Sequence, residues 1–480
     1  MAISWLDLLV VICYLVAITI FGAHFRKSQP TLREYFQGGR RLPWWAISFA
    51  VVTAETSILT IISTPGIAYR SNWAFLQLIF GYLVGRAVVS YALIPRYFAG
   101  EIFTAYQLIE RRFGRGLKVF TAGLFLVTRA LSDGVRVFAI AIVIGLVFKS
   151  GIFASVLIVV AVALFYTFEG GLTAVIWTDV LQLLIYLTGS ALALAVALHA
   201  IPGGWAEVAR LAHAEGNKLA VFNFHFNWHE PYLFWSGLVG GAFLNTATHG
   251  TDQLIVQFLL AARNRRQSQA ALLSSGVLIL LQFTLFLLVG TVLFAFYHHF
   301  PPARPFARSD QVFPAFVLTQ LPRGLAGLLI AAIIAPGMAS LSAAFNSLAT
   351  TSVMDFYKPF VRPNADDKHY LAVCRGMVLA WGAVLVAIAL VVQHLQSSVM
   401  ELALKVASVP YGSMLGIFLL GVLTKRANGR GALAGALVAL LVMGFVVACT
   451  PLAWTWYVAL GTVVTFTVGW LASLATASKG

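Results

Sequence analysis

The chain has 480 residues, of which 60% are hydrophobic and 10% charged, and its mean hydropathy is +0.88. A water-soluble protein of this length could not cover itself with so few charges, so the sequence reads as an all-α polytopic membrane protein. The net charge of +15 does not point to nucleic acid, because the basic residues lie in short loops between apolar runs.

Thirteen apolar runs of helix length follow in order, at 4–24, 43–69, 73–95, 117–148, 151–168, 172–199, 231–250, 268–298, 324–354, 370–393, 399–424, 431–449 and 452–474. The first lacks a basic n-region and a small-residue cleavage site and reads as a retained helix rather than a signal peptide. Loops after odd-numbered runs, with the adjoining run ends, hold twenty-one of the 32 lysines and arginines, and loops after even-numbered runs hold seven. The positive-inside rule then predicts an N-terminus outside and a C-terminus inside. The longest loop, about 200–230, falls outside and is expected to cap the outer mouth. Cys13, Cys374 and Cys449 lie far apart within apolar runs and read as buried small hydrophobes. No HExxH, P-loop or CxxC pattern occurs.

The second run contains FAVVTAETSILT, which crowds Thr53, Glu55, Thr56, Ser57 and Thr60 into the centre of a membrane segment. Hydroxyls can bond back to their own helix, but a carboxylate among them needs a partner. With Pro65 and Gly66 close behind, the pattern fits a helix unwound in its middle. Its freed carbonyls would hold a cation while side chains line the gap. Arg86 in the third run and Lys405 in the eleventh are lone charges that either snorkel or pair. In the fourth run Arg129, Asp133 and Arg136 share a helix face. Asp133 neutralises one arginine, which leaves one positive charge to attract an anionic solute. Asp179 opens the sixth run one turn before Gln182, where it either anchors a loop or lies near a cation route, and Gly170 and Gly171 before it fit a tight turn. The seventh run is interrupted by GGAFLNTATHGTDQ, with Asn245 and Thr248 inside it. The ninth presents the small-residue face AIIAPGMASLSAAFNS. That face suits close helix packing. Through Ser340, Ser342 and carbonyls loosened near Pro336, it also suits hard oxygen ligation of Na+.

Interrupted runs five apart, in corresponding positions of two five-helix halves, are the signature of an inverted repeat. The chain then reads as one transmembrane transporter domain, 1–480. It comprises an extra helix at 4–24, a first repeat at 43–199, a second at 231–424 and two extra helices at 431–474. A channel would show repeated filter loops, and none is visible.

The stretches FQGGRRLPWWAISFAVVTAETS, YQLIERRFG, YTFEGGLTAVIWTDVLQ, HGTDQLIVQ, SLSAAFNSLATTSVMDFY and YGSMLGIFLLGVLTKRANGRGALAG carry a resemblance to a known family. Together they resemble the sodium:solute symporters, which include bacterial proline, sialic acid and galactose transporters and mammalian glucose, iodide and vitamin transporters. The resemblance runs almost end to end. It implies a leucine-transporter-like fold, alternating access, Na+ as coupling ion and a multi-pass place in the cell (plasma or inner) membrane.

In that family the main Na+ site uses carbonyls that fall here on Phe49, Val52 and Pro336, and a hydroxyl pair that falls on Ala339 and Ser340. Ala339 leaves the set one oxygen short, a gap that water, Thr53 or Ser342 would fill. A second Na+ site found in some relatives would use Asp179 and serines near Ser342, and it is incomplete here. Sugar-carrying relatives place Gln, Glu and Gln where Thr56, Ala74 and Leu404 stand, so no hexose is expected. Asn245 does match an asparagine of those relatives, and Thr56 is similar to the sialic-acid-carrying members. The expected cargo is a small polar organic solute, with anions among the candidates. Thr53, Thr56, Gln77, Asn245 and Thr248 are its expected ligands. Glu55, Asp179, Ser342, Arg129, Asp133 and Arg136 are further functional candidates.

Other readings compete. A proton-coupled or uncoupled transporter of the same fold is motivated by Ala339, with Glu55 or Asp179 carrying the proton. A transporter-like solute sensor is expected to carry an appended signalling domain, and the sequence stops at Gly480 soon after the last run. An enzyme is not expected, because no nucleophile–base pair stands at a convincing spacing. His225 and His229 in the outer loop come nearest to a metal pair. Neither the solute's identity nor the oligomeric state is legible.

Overall fold

A computed structural model describes residues 4–24, 42–99, 105–165, 172–395 and 397–477. Among them every regular element is a helix, and the one β-type contact is an isolated bridge between Leu42 and Ala262. A bilayer offers no water to satisfy peptide groups, so an apolar chain closes its backbone bonds within its own helices.

The first half contains α1 (Trp5–His24), α2 (Trp44–Glu55), α3 (Ile58–Arg70) and α4 (Leu76–Val88), which passes through a π-helical turn into α5 (Ile94–Ala99). Then come α6 (Ala105–Phe113), α7 (Arg115–Phe148), α8 (Ile152–Phe165) and α9 (Leu172–Ala200), with α10 (Gly204–Ala214) in the long loop. The second half contains α11 (Phe234–Thr251), α12 (Gln253–Leu260), α13 (Arg265–His299), α14 (Val312–Gln320), α15 (Leu325–Thr351), α16 (Asp367–Val392) and α17 (Val399–Leu423). It is followed by α18 (Gly429–Cys449) and α19 (Tyr457–Ala477). Among the described residues, nine helical segments are long and apolar enough to cross a membrane, and ten if the bent pair α2 and α3 is one span. The other three predicted runs carry α1, α8 and α11, with α12 immediately after α11.

The break in the second run lies earlier than its proline suggests. The chain bends by 67° at Thr56 and Ser57, whereas Pro65 and Gly66 sit inside continuous α3. Their role is close packing. A Cβ on Gly66 would lie 2.6 Å from the Ser309 carbonyl oxygen, and one on Gly290 of α13 would lie 2.1 Å from that of Pro65. In the seventh run α11 continues unbroken through Gly240 and Asn245 and stops at Thr251, so the break falls at Asp252. The glycines there bring α11 onto α4: a Cβ on Gly241 would meet the Leu78 oxygen at 2.3 Å, and one on Gly81 the Leu238 oxygen at 2.5 Å.

α3 therefore packs along α13 and α4 along α11, while α7 packs with α15, α16 and α17. Cys13 and Cys449 are exposed on the outside of the bundle and Cys374 is half-buried, contrary to the expectation of burial. In a membrane protein an apolar run faces lipid as readily as core, so apolar sequence alone does not imply an interior position. The loop residues Arg26, Lys27, Arg33, Arg40 and Arg41 and the turn at Gly170 and Gly171 lie outside the described residues.

Candidate functional site

The α2–α3 break is made by local hydroxyl chemistry. Thr56 leaves helical geometry at φ −86°, ψ 86°, and Ser57 restarts the helix as its N-cap, its Oγ accepting the Leu59 N–H at 3.2 Å. Thr56 Oγ1 accepts from Gln282 Nε2 at 2.7 Å, and Gln282 Oε1 accepts from the Tyr186 hydroxyl at 3.1 Å. Thr53 Oγ1 donates to the carbonyls of Phe49 and Asp179, each at 3.0 Å, and so ties α2 to α9.

Beside the break lies a cavity of about 230 Å³. Glu55, the last residue of α2, reaches its wall and pairs with Arg86 of α4, whose Nε donates to Ser275 Oγ at 3.1 Å. His249 of α11 places Nε2 3.5 Å from the Glu55 carboxylate, and its Nδ1 lies 3.0 Å from the Thr248 hydroxyl. The facing wall is α7. There Asp133 is fully buried between Arg129, 2.6 Å away, and Arg136, which also donates to it. Asp252, at the α11–α12 break, caps α12 by accepting the Leu254 N–H at 2.9 Å and accepts from the Tyr411 hydroxyl of α17 at 3.4 Å. Arg129, Asp133, Arg136, Thr248, Asp252 and Tyr411 all line the cavity.

Phe75 and Met400 bound the cavity on one side. Phe75 stacks on Phe283 at 5.4 Å and packs on Tyr232 at 5.5 Å. Beyond them Asp310 accepts from Ser63 of α3 and, at 3.3 Å, from the Val399 N–H, while the Met400 N–H donates to Ser63 Oγ at 3.3 Å. These bonds lace α3 to the start of α17. In the other direction the lining runs on to Phe125, Leu254, Ile255 and Met414.

Of the expected site residues, the cavity gathers Glu55, Arg129, Asp133, Arg136 and Thr248. Thr53 and Thr56 serve the buried network just described. Gln77 is fully buried and pins the long loop, accepting from the Asn223 N–H at 3.0 Å and donating to the Tyr232 carbonyl at 2.9 Å. Asn245 is 1% exposed, with neither amide atom hydrogen-bonded. Pro336 is buried, Ser340 is half-buried, and Ser342 is buried with no partner for its hydroxyl; the side chain of Ala339 is not among the described ones. α15 approaches the broken span through α3, where Gly337 packs against Ile58. The reading of single residues missed the Glu55–Arg86 pair, Gln282 and Tyr411. A lone glutamine within the apolar run ILLQFTLF was the available signal for Gln282.

A buried charge cluster between broken membrane helices, with an unpartnered hydroxyl on a nearby small-residue helix, fits a cation-coupled carrier. The model of the sodium:solute symporter family matches residues 35–439. The chain belongs to that family. The sodium/sialic acid symporter NanT of Aliivibrio fischeri is 27% identical over 471 residues, covering 97% of this chain and 92% of that one. The human sodium-coupled monocarboxylate transporter 1 is 29% identical over 423 residues, or 87% of this chain and 69% of its own length. The substrate-bound, outward-open state of a Na+-coupled sialic acid symporter superposes with a TM-score of 0.82 at 25% identity, over 98% of both chains. The symporter is thus a multi-pass membrane transporter with Na+ as coupling ion, and not an enzyme.

Proposed function

We propose that the symporter moves a small organic anion together with Na+, and that the Arg129–Asp133–Arg136 face of α7 receives the anion. The observation that carries this reading is the charge of the cavity. Counting Arg86 behind Glu55, it has three arginines against three carboxylates, Glu55, Asp133 and Asp252. An anion entering alone would leave an uncompensated charge in a low-dielectric site, which is costly, whereas an anion entering with Na+ keeps the site neutral. The family members that carry sialic acid and monocarboxylates support the same class of cargo. Thr248 and Asn245 are proposed as polar ligands near the break, with Thr53, Thr56 and Gln77 holding the surrounding helices in register.

For Na+ the proposed ligands are the carbonyls of Phe49, Val52 and Pro336 with the Ser340 hydroxyl. Ser342, whose hydroxyl is buried and unpaired, and Thr53 make up for Ala339, with Asp179 alongside. The proposed topology has thirteen spans, N-terminus outside and C-terminus inside, arranged as two five-helix repeats that each open with a broken span. The uneven loop charges and the breaks at Thr56–Ser57 and Asp252 support it. On this topology the cavity is sealed outside by Phe75, Met400 and Asp310 and runs inward toward Phe125 and Met414.

The test is uptake of labelled monocarboxylates and sialic acid into proteoliposomes. Uptake is expected with an inward Na+ gradient and not with K+ in its place; equal uptake in both rejects Na+ coupling. A cycle of one Na+ with one monoanion is electroneutral and indifferent to an imposed potential. A second Na+ would add about 2.3 kcal/mol per 100 mV.

A further inference from the structure

The loop after α10 contains FNFHFNWH, Phe222 to His229, which alternates aromatic and polar residues with the period of an extended chain. The aromatics do not fold inward. Phe222, Phe224, Phe226 and Trp228 are 55%, 62%, 48% and 50% exposed. They form one strip: Phe222 stacks nearly parallel on Phe80 at 5.6 Å and on Phe224 at 5.7 Å, and Trp228 packs on Trp456 at 4.8 Å. A contiguous apolar strip of this kind calls for a partner. Its backbone is fixed to the bundle. The Asn223 N–H donates to Gln77, the Phe234 N–H donates to the Asn223 carbonyl at 2.8 Å, and the Ala453 N–H donates to the Trp228 carbonyl at 2.9 Å. The strip therefore lies across the N-terminal ends of α4, α11 and the turn before α19.

Phe80 indicates what covers it. At roughly 100° per residue, Phe75 and Tyr82 share the cavity face of α4, and Phe80, Val84 and Val88 fall on the opposite face. Val84 and Val88 are 45% and 42% exposed on a helix apolar and long enough to cross a membrane, so that face meets lipid. The loop strip continues the lipid-facing stripe past the end of the helix. Irregular backbone is not tolerated in the hydrocarbon core, but aromatic rings concentrate at the headgroup boundary.

We propose that Phe222–Trp228 is an interfacial anchor, with its aromatic edge seated in the outer leaflet and Asn223 and His225 turned to water. The test removes Cys13, Cys374 and Cys449 by substitution with Ala and adds single labels at Phe224→Cys, Phe226→Cys or His225→Cys, with an environment-sensitive fluorophore. The proteins are reconstituted in phosphatidylcholine vesicles carrying nitroxide lipids. Labels at 224 and 226 are expected to be quenched several-fold more strongly by nitroxides near the headgroup than the label at 225, with the reverse order for aqueous iodide. Equal iodide quenching at the three positions places the strip in water and overturns the proposal. Loss of both kinds of quenching at 224, with crosslinking between copies there, makes a second chain the occupant and overturns it as well. Two aromatic positions keep the test decisive when one variant fails to fold.

Discussion

At the α2–α3 break the carboxylate of Glu55 meets Arg86, and Ser275 holds Arg86 in turn. At the α11–α12 break the carboxylate of Asp252 caps its own helix and takes a 3.4 Å hydrogen bond from Tyr411 across the cavity. Both breaks begin a new helix with a side-chain oxygen as cap, Ser57 in one and Asp252 in the other. They differ in what binds them to their surroundings. An ion pair withdrawn from water is expensive to break, because the partner left behind cannot be rehydrated. A cap and a long hydroxyl bond give way at small cost. The first break is therefore a fixed junction and the second a yielding one.

The widest test of that contrast is Arg86→Met, which strands Glu55 and is expected to cost about 3–5 kcal/mol. It is read as thermal stability of the purified protein, with Glu55→Gln/Arg86→Met recovering most of the loss. Next is Arg129→Gln, which removes one positive charge from α7. It is expected to raise the half-saturating concentration of an anionic solute by about tenfold or more, from hydrogen bonds to charged groups worth roughly 1.5–3 kcal/mol. Direct binding by calorimetry checks it, and an unchanged affinity moves the anion site elsewhere. Ser57→Ala takes away the cap of α3 and is expected to cost about 1 kcal/mol in chemical denaturation. The smallest effect is expected from Tyr411→Phe, at about 0.5 kcal/mol, the low end for a hydrogen bond this long. Should Tyr411→Phe destabilise the protein as much as Arg86→Met, the two breaks are equally rigid and the contrast fails.

The membrane class and the run of helices were legible because hydropathy needs no tertiary knowledge, and the polar cluster from Thr53 to Thr60 marked the first break. Its position was not legible from proline: Pro65 continues α3 and packs against Gly290, while the hydroxyls of Thr56 and Ser57 divert the backbone. The glycines near Asn245 suggested unwinding but serve a close helix contact, and sequence does not separate those uses of glycine. Asp133 between two arginines was readable from helical spacing, since all three lie within two turns of one helix. The Glu55–Arg86 pair joins residues of different helices, so no local pattern could announce it. Gln77 is among the expected solute ligands, and what the sequence did not announce is that its amide bonds to the loop at the Asn223 N–H and the Tyr232 carbonyl.

The glycine contact of α4 with α11, and that of α3 with α13, have a consequence for how the two sides of the cavity move. With α13 also packed on α2 and α4, they join the carriers of Glu55, Arg86 and Asp252 into one body on which these three charges sum to one excess negative, while Arg129, Asp133 and Arg136 on the facing wall sum to one excess positive. Across an empty cavity the two walls attract each other like the plates of a charged capacitor. On the proposed cycle, a sodium ion at the broken span beside the first plate and an anion at the second weaken that attraction, so the vacant and the filled carrier would settle at different separations. Distances between spin labels on α4 and α7, measured with and without both cargoes, are expected to lengthen on filling.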